Sequence, residues 1–300
     1  MMRTAGVDLG GTRVRVGVLD GEKLLHWEEQ DSEVLRGPDH TLSIIITMLE
    51  RAQEKMPFER IGICAPGPLD YKLGVLLDPP NLPAWGLVPI TDVIQEYFSL
   101  PVRLLNDANA AALSEAASGA GMGYESVWFT TVSTGVGSGY VNSGLLIQGA
   151  KGCAGEIGNM IIVPEGRLQS NLNPGALESY VSGTAISAIS KERFGWQNGA
   201  REAIERAIAG EKDAAELIDE TMDHLSIAIA NIVHTVNPAI FVFGGGVMTH
   251  HDYLLPILAE KTNARVYESL KHSFDFAYAV HGNEAGVLGA AVYVRELTLP

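Results

Sequence analysis

Two cysteines in 300 residues, Cys64 and Cys153, leave no disulfide framework to staple the chain. That scarcity suits a reducing cytoplasm, which is the compartment expected. Positive charge is also short. Against 36 Asp and Glu stand only 21 Lys and Arg, a formal net charge of −15, which argues against a nucleic-acid-binding surface and against a polybasic membrane face. No apolar run approaches a membrane span, and the N-terminus runs straight into a strand pattern without signal-peptide architecture. An acidic soluble enzyme is the class left standing. The length exceeds most single hydrophobic cores and predicts two domains. The 33 glycines cluster in short motifs, as turns and ligand loops do, rather than spreading as low complexity.

The stretch Leu104–Ala116 (LLNDANAAALSEA) joins a buried strand to an alanine-rich helix. Asn106 and Asp107 fall at the junction, where a polar side chain can be held rigidly toward a ligand; an ordinary helix cap is the alternative reading. Upstream, Ala5–Thr12 is a strand ending in Gly10-Gly11, and Val14, Val16 and Val18 alternate as its return. Asp8 before the turn, free backbone N–H groups and the Thr12 hydroxyl are the parts of a phosphate-binding loop, although Gly-Gly is also a plain hairpin turn. Residues 41–55 carry apolar side chains at helical spacing. The strand Arg60–Cys64 then runs into the stiff loop Ala65-Pro66-Gly67-Pro68-Leu69-Asp70, and a second irregular stretch follows at Asn81-Leu82-Pro83-Ala84-Trp85. A short helix is expected over 90–98.

The second half begins in the same way. A strand over Ser126–Val132 meets the glycine-rich turn Ser133–Gly139. Later Ala239–Phe243 ends in Gly244-Gly245-Gly246, and Phe276–Val280 leads through Gly282-Asn283-Glu284 into the small-residue helix Ala285–Ala291. Three strand-plus-loop units in one order, twice, predict an internal duplication: two α/β halves facing across a cleft lined by the glycine hairpins. The expected boundaries are 1–116, joined by a C-terminal helix over 285–300, and 117–284. The longest helix is expected over 212–236, with Ile218, Met222, Leu225, Ile229, Ile232 and Val236 as its apolar stripe; His224 and His234 on it have no evident partner.

Together Asp8-x-Gly10-Gly11-Thr12, Ala65-Pro66-Gly67-Pro68, Asn81-Leu82-Pro83-x-Trp85, Asn106-Asp107-Ala108-Asn109, Thr134-Gly135-x-Gly137-x-Gly139 and Gly155-Glu156-Ile157-Gly158 resemble the ROK family (repressors, open reading frames, kinases). The resemblance covers essentially the whole chain. It implies the α/β hexokinase/actin-like (ribonuclease H-like) duplicated fold and an ATP-dependent sugar kinase similar to glucokinases, fructokinases and N-acetylhexosamine kinases. Asp107 would be the general base on the attacking hydroxyl, usually O6. Asn106, Glu156 and Glu178 would bind other sugar hydroxyls, with Gly67 and Asn81 at the border. Gly10, Gly11, Thr12, Thr134, Gly135 and Gly137 would hold ATP phosphates, Gly244, Gly245 and Gly246 would pass under the adenosine, and Asp8 would orient Mg²⁺ through water.

One departure stands out. Many members carry a zinc-binding His and three cysteines, and the corresponding positions here are Asn159, Gln169, Asn171 and Ala176, so no zinc is expected. Because the family His also contacts the sugar, Asn159 is expected near the sugar's C1–C2 edge and leaves the sugar's identity open. The reading is a glucose-first hexose kinase, with N-acetylhexosamine, fructose, mannose or a glucoside as alternatives. A homodimer or homotetramer without nucleic-acid or membrane partners is expected. A sugar-sensing regulator would carry a helix-turn-helix domain before the first hairpin, whereas Asp8 follows only seven residues. A catalytically dead sugar binder is disfavoured by the intact Asp8, Asp107 and hairpins.

Overall fold

The computed structural model describes residues 2–249 and 251–295. They divide into two units, one built from the described parts of 1–122, 144–154 and 281–300, the other from 123–143 and 155–280. Each has its own apolar core. Ile45, Met48, Ile61 and Ile63 are buried in the first, and Phe241, Phe243, Leu225 and Ile229 in the second.

The first unit is a five-stranded sheet in the order Lys23–Asp31, Arg13–Asp20, Arg3–Leu9, Arg60–Ala65, Val102–Asn106. Its first three strands pair antiparallel, and the last two join in parallel. Val14, Val16 and Val18 are fully buried, as strict alternation on a half-covered strand demands. The helix Pro38–Lys55 covers the sheet with Leu42, Ile45, Met48 and Leu49, while Ile46 is only partly buried. A small sheet of Leu69–Asp70, Val75–Leu77 and Leu87–Val88 projects after the fourth strand.

The second unit repeats the last four strands of the five-stranded order with Val136–Asn142, Ser126–Val132, Ile240–Gly244 and Asp275–Tyr278, an antiparallel pair followed by two parallel ones. The same order and directions recur, so the duplication exists at the level of topology. Phe276 stacks between Phe241 and Phe243, with ring centroids 5.6 and 5.7 Å away. The helix Lys212–Val236 buries Ile218, Met222, Leu225, Ile229 and Ile232, but Val236 is exposed at its end. His224 packs on Tyr180 at 4.4 Å and His234 meets Tyr267 edge-on at 5.0 Å, which gives both histidines aromatic partners.

The last helix, Ala285–Arg295, belongs to the first unit; the expected continuation over 296–300 lies outside the described residues. Its small residues permit backbone contact: a Cβ on Gly6 would sit 2.0 Å from the Val287 carbonyl oxygen, and one on Gly289 would sit 1.8 Å from that of Ala110. Only glycine allows so close an approach. The architecture is the hexokinase/actin-like two-domain α/β fold.

Candidate functional site

In the first unit the strand Val102–Asn106 passes directly into the helix Asp107–Ser118. Asn106 does cap that helix, its Oδ1 accepting from the Ala108 N–H at 2.9 Å, and the same N–H reaches Asp107 Oδ1 at 2.7 Å. The cap reading of Asn106 holds. Capping freezes the junction, and the Asp107 residue remains exposed. A Cβ added to Gly67 would lie 3.7 Å from Asn106 Nδ2, and the Gly67–Pro68 peptide is cis. Gly11 meets Asn81, whose carbonyl oxygen would stand 2.7 Å from an added Cβ. Gly10, Gly11, Thr12, Gly67, Asn81, Asn106 and Asp107 thus share one unit with Asp8.

Asp8 is held on three sides. Arg15 Nη1 donates to its Oδ2 at 3.0 Å, the Cys64 thiol to its Oδ1 at 3.4 Å, and Gly286 lies so close that a Cβ there would be 2.7 Å from the carboxyl carbon. Arg15 sits opposite Asp8 on one neighbouring strand and opposite Glu29 on the other, and its Nε donates to Glu29 at 2.6 Å. Opposite charges thus alternate across three strands. Burial pushes the Asp8 carboxyl above the usual carboxylate range, against the downward pull of Arg15. Burial also pushes the Cys64 thiol well up, with Asp8 and Asp107 adding to the effect, so it stays a neutral donor. Arg15 is not among the residues that the sequence motifs single out. Its signal is the register, which an isolated strand does not display.

In the second unit the hairpin Ser133–Gly137 encloses a carboxylate. Glu178 Oε2 accepts from the Val136 N–H at 2.7 Å, and a Cβ on Gly135 would stand 2.7 Å from that same oxygen. A side chain at Gly135 would therefore have to push the Glu178 carboxylate aside. Glu156 is solvent-exposed as a residue, yet enough protein surrounds its carboxyl to push it above the ordinary range, with Glu178 contributing further. Asn159 turns toward the following loop: its Oδ1 accepts from the Asn173 N–H at 2.7 Å. Of the expected non-zinc positions, Ala176 is fully buried and bridges Ile161.

A cavity of about 770 Å³ opens in this unit, within the range of small-molecule sites, and Thr134 and Gly246 line it. Gly244 and Gly245 have internal reasons to be glycine: a Cβ at Gly244 would be 3.1 Å from the Phe129 ring, and Gly245 has φ 86° with the Val132 carbonyl 2.3 Å from an added Cβ. Gly246 faces open space. The cavity also takes Thr184, Ser187, Asn198 and Arg201, none foreseen. They come from the helices Gly183–Phe194 and Gly199–Ile208 and the turn before the second. Thr184 Oγ1 donates to the Thr134 carbonyl at 2.8 Å and Gly183 N to that of Ser133 at 2.7 Å, which joins the first helix to the hairpin. The sequence signal is the cap Ser182, whose hydroxyl accepts from Ala185 N.

Among the described residues no group of three or more His, Cys, Asp or Glu is gathered as a metal cage would be. No helix among them is long and apolar enough to cross a membrane.

The family model for ROK matches residues 4–297. A glucokinase of Thermotoga maritima is 31% identical over 312 aligned positions, covering 98% of both chains. A solved ROK hexokinase from Thermus thermophilus superposes with a TM-score of 0.92 at 33% identity, again over 98% of each chain. A ROK family glucokinase from Streptomyces griseus, solved in complex with glucose and AMPPNP, gives 0.79 at 29% identity over 98% of this chain and 100% of its own.

Proposed function

The chain belongs to the ROK family, and we propose that, as an ATP-dependent sugar kinase of that family, it transfers the γ-phosphoryl group of ATP to O6 of a hexose, glucose first, with Asp107 as general base. The observation that carries this reading is the junction at Asn106-Asp107. An exposed carboxylate stands on a helix N-terminus whose geometry is set by hydrogen bonds at 2.7 and 2.9 Å, in the unit that also holds the Asp8 hairpin.

In the transfer, the hydroxyl oxygen bonds to the γ-phosphorus as the bond from that phosphorus to the β,γ-bridging oxygen breaks, and ADP leaves. The hydroxyl proton passes to the Asp107 carboxylate. A positioned base is worth about a hundred- to ten-thousand-fold in rate. Asn106, Glu156 and Glu178 bind the remaining hydroxyls, which suits a ring with several equatorial groups and penalises a sugar that leaves one of them unpaired. Gly67 and Asn81 border the sugar. N–H groups of the two hairpins take the phosphates, apart from those of Gly10, Ser133 and Val136, which already donate within the protein, and the cavity beside Gly246 takes the nucleoside.

Mg²⁺ arriving with ATP would supply neutralising charge for the phosphates and would need only one or two protein carboxylates. Asp8 fits that requirement. Its side chain is 16% exposed and both oxygens already have protein partners, so it would hold the ion through water. No zinc enters the scheme, and the purified protein is expected to carry no stoichiometric zinc by elemental analysis.

A coupled assay with glucose, mannose, fructose, N-acetylglucosamine, N-acetylmannosamine and a β-glucoside tests the reading. Glucose should give the highest kcat/KM, with neighbours differing in one group discriminated by about 1–3 kcal/mol. A lead of more than about tenfold for fructose would overturn the aldohexose assignment, since that gap already matches the loss of one fitted group in a specific pocket.

A further inference from the structure

Residues 160–177 form a loop with no helix or strand of its own beyond the Ile161–Ala176 bridge. Unsupported loops longer than about 12–15 residues are uncommon in compact domains and tend to be functional. This one is closed at its mouth, where Leu177 N donates to the Met160 carbonyl at 2.8 Å. Backbone bonds continue inward, with Ile162 N and Gly175 N donating to the carbonyls of Gly175 and Arg167 at 2.9 and 2.8 Å, and two side chains add to them. Asn159 Oδ1 accepts from the Asn173 N–H at 2.7 Å, and Asn173 Nδ2 donates back to the Asn159 carbonyl at 3.4 Å. Near the tip, the Tyr180 hydroxyl accepts from the Arg167 N–H at 2.7 Å, and the Tyr180 ring is itself fixed against His224.

The loop matters because of what stands at its two ends. Glu156 opens the turn Ile157–Asn159, and Glu178 opens the helix Glu178–Val181. The turn after Glu156 lies against Glu178, since a Cβ on Gly158 would stand 3.3 Å from Glu178 Oε2; two carboxylates brought this close repel, and the backbone that carries them has to hold them apart. We propose that Asn159 and Tyr180 are positioning residues: they clasp the loop 160–177 shut and so fix Glu156 relative to Glu178, and Asn159 serves the sugar site through the loop, not by touching sugar. The proposal rests on Glu156 and Glu178 being sugar acceptors, but its mechanical half stands apart from that reading. An amide oxygen and a phenol oxygen do here what an amide donor alone cannot, since both partners are backbone N–H groups.

Limited trypsin digestion of the full chain reads the clasp directly. The bond after Arg167 leads into Leu168, which is 71% exposed, and cleavage there requires local opening. Asn159→Ala and Tyr180→Phe should each speed that cut, identified by mass spectrometry, by about tenfold, the weight of one hydrogen bond. Asn159→Asp keeps an oxygen acceptor and should remain as resistant as the wild type. For Asn159→Ala and Tyr180→Phe, the sugar KM should rise by about tenfold with kcat held within roughly threefold, as expected when binding geometry and not chemistry is disturbed.

An unchanged cut in Asn159→Ala, or Asn159→Asp behaving like Asn159→Ala, would overturn the clasp. Faster cutting with an unchanged sugar KM would refute the link to the sugar site. If Asn159→Ala fails to fold, Tyr180→Phe, which loses one hydroxyl, decides. Should the wild type phosphorylate no sugar at all, the kinase reading falls while digestion still decides the clasp.

Discussion

The two glycine hairpins are topological equivalents, each an antiparallel pair at the same place in its sheet, yet they manage a neighbouring acid in different ways. Under the first, Asp8 is neutralised by a side chain, Arg15, which Glu29 holds from behind. Under the second, Glu178 is held by a backbone N–H, that of Val136. A guanidinium brings a full countercharge and cancels the acid's field. A peptide N–H orients an acid and leaves its charge in place. The first arrangement leaves an acid whose charge is largely compensated, and the second an acid that is oriented but still charged.

That contrast can be scaled, broken and refined by substitution. Asp107→Asn belongs to neither hairpin and sets the scale. It should lower kcat by about a hundred- to ten-thousand-fold while calorimetry shows sugar binding largely retained; near-native turnover would remove Asp107 from the role of base. Arg15→Met strips the countercharge from a carboxylate that is 16% exposed. Breaking such a pair should cost roughly 2–4 kcal/mol in denaturant unfolding, because the largely buried acid is left with only the Cys64 thiol as a donor. Arg15→Lys should recover part of that loss, and equal stability of Arg15→Met and the wild type would mean that the pair does not hold Asp8.

Gly135→Ala attacks the second hairpin. Its new Cβ would meet Glu178 Oε2, 2.7 Å away, and displace it from Val136. The expected result is a sugar KM raised by about tenfold, the weight of one charged hydrogen bond, with the KM for ATP moving less. If only the KM for ATP responds, the glycine serves phosphates alone.

The smallest effect is on pH dependence. Glu156 has its pKa raised by burial and then by Glu178, so the folded state binds its proton more tightly than the unfolded chain does. Its contribution to stability is therefore full below the ordinary glutamate pKa and is lost as pH rises through the folded value. If Glu156 accepts from a sugar hydroxyl as proposed, sugar binding should run the other way and weaken as pH falls through that raised value, because the acceptor works best ionised. Glu156→Gln should remove the corresponding step from the stability–pH curve. Retention of the step would assign it to another group.

How much of the molecule is legible in its sequence depends on whether one segment carries its own signal. Val14, Val16 and Val18 announce a strand by alternation, and the stripe from Ile218 to Ile232 announces the long helix by its period. The strand Lys23–Asp31 does not, because it is mostly half-buried and its charged Glu28 and Glu29 break the alternation. The helix Gly183–Phe194 buries only Ala185, Ile186, Ile189 and Ser190, too sparse a face to stand out, and the part of the cavity lining it carries stays hidden with it. In the site, Asp107 and Asn106 are legible because strand and helix signals meet there. Arg15 is not, since a lone charge in a strand reads as solvent-facing until two other strands supply its partners. Asn159 reads as a sugar neighbour, while its oxygen is engaged by an N–H fourteen residues downstream, a pairing that no local pattern encodes.

The return of the helix Ala285–Arg295 to the first unit has a consequence for biosynthesis. The strand Arg3–Leu9 leaves the ribosome long before the helix whose backbone covers Gly6 and whose Gly286 closes on Asp8. At about 5–20 residues per second the wait is roughly 15–60 s. During that interval Arg15 and Cys64 can already reach Asp8, but the backbone that packs on Gly6 and the third side of Asp8, closed by Gly286, are missing however well the first hundred residues fold. Translation that stops short of residue 285 yields a product without this closing piece, so the fold itself couples catalytic competence to synthesis through the last helix.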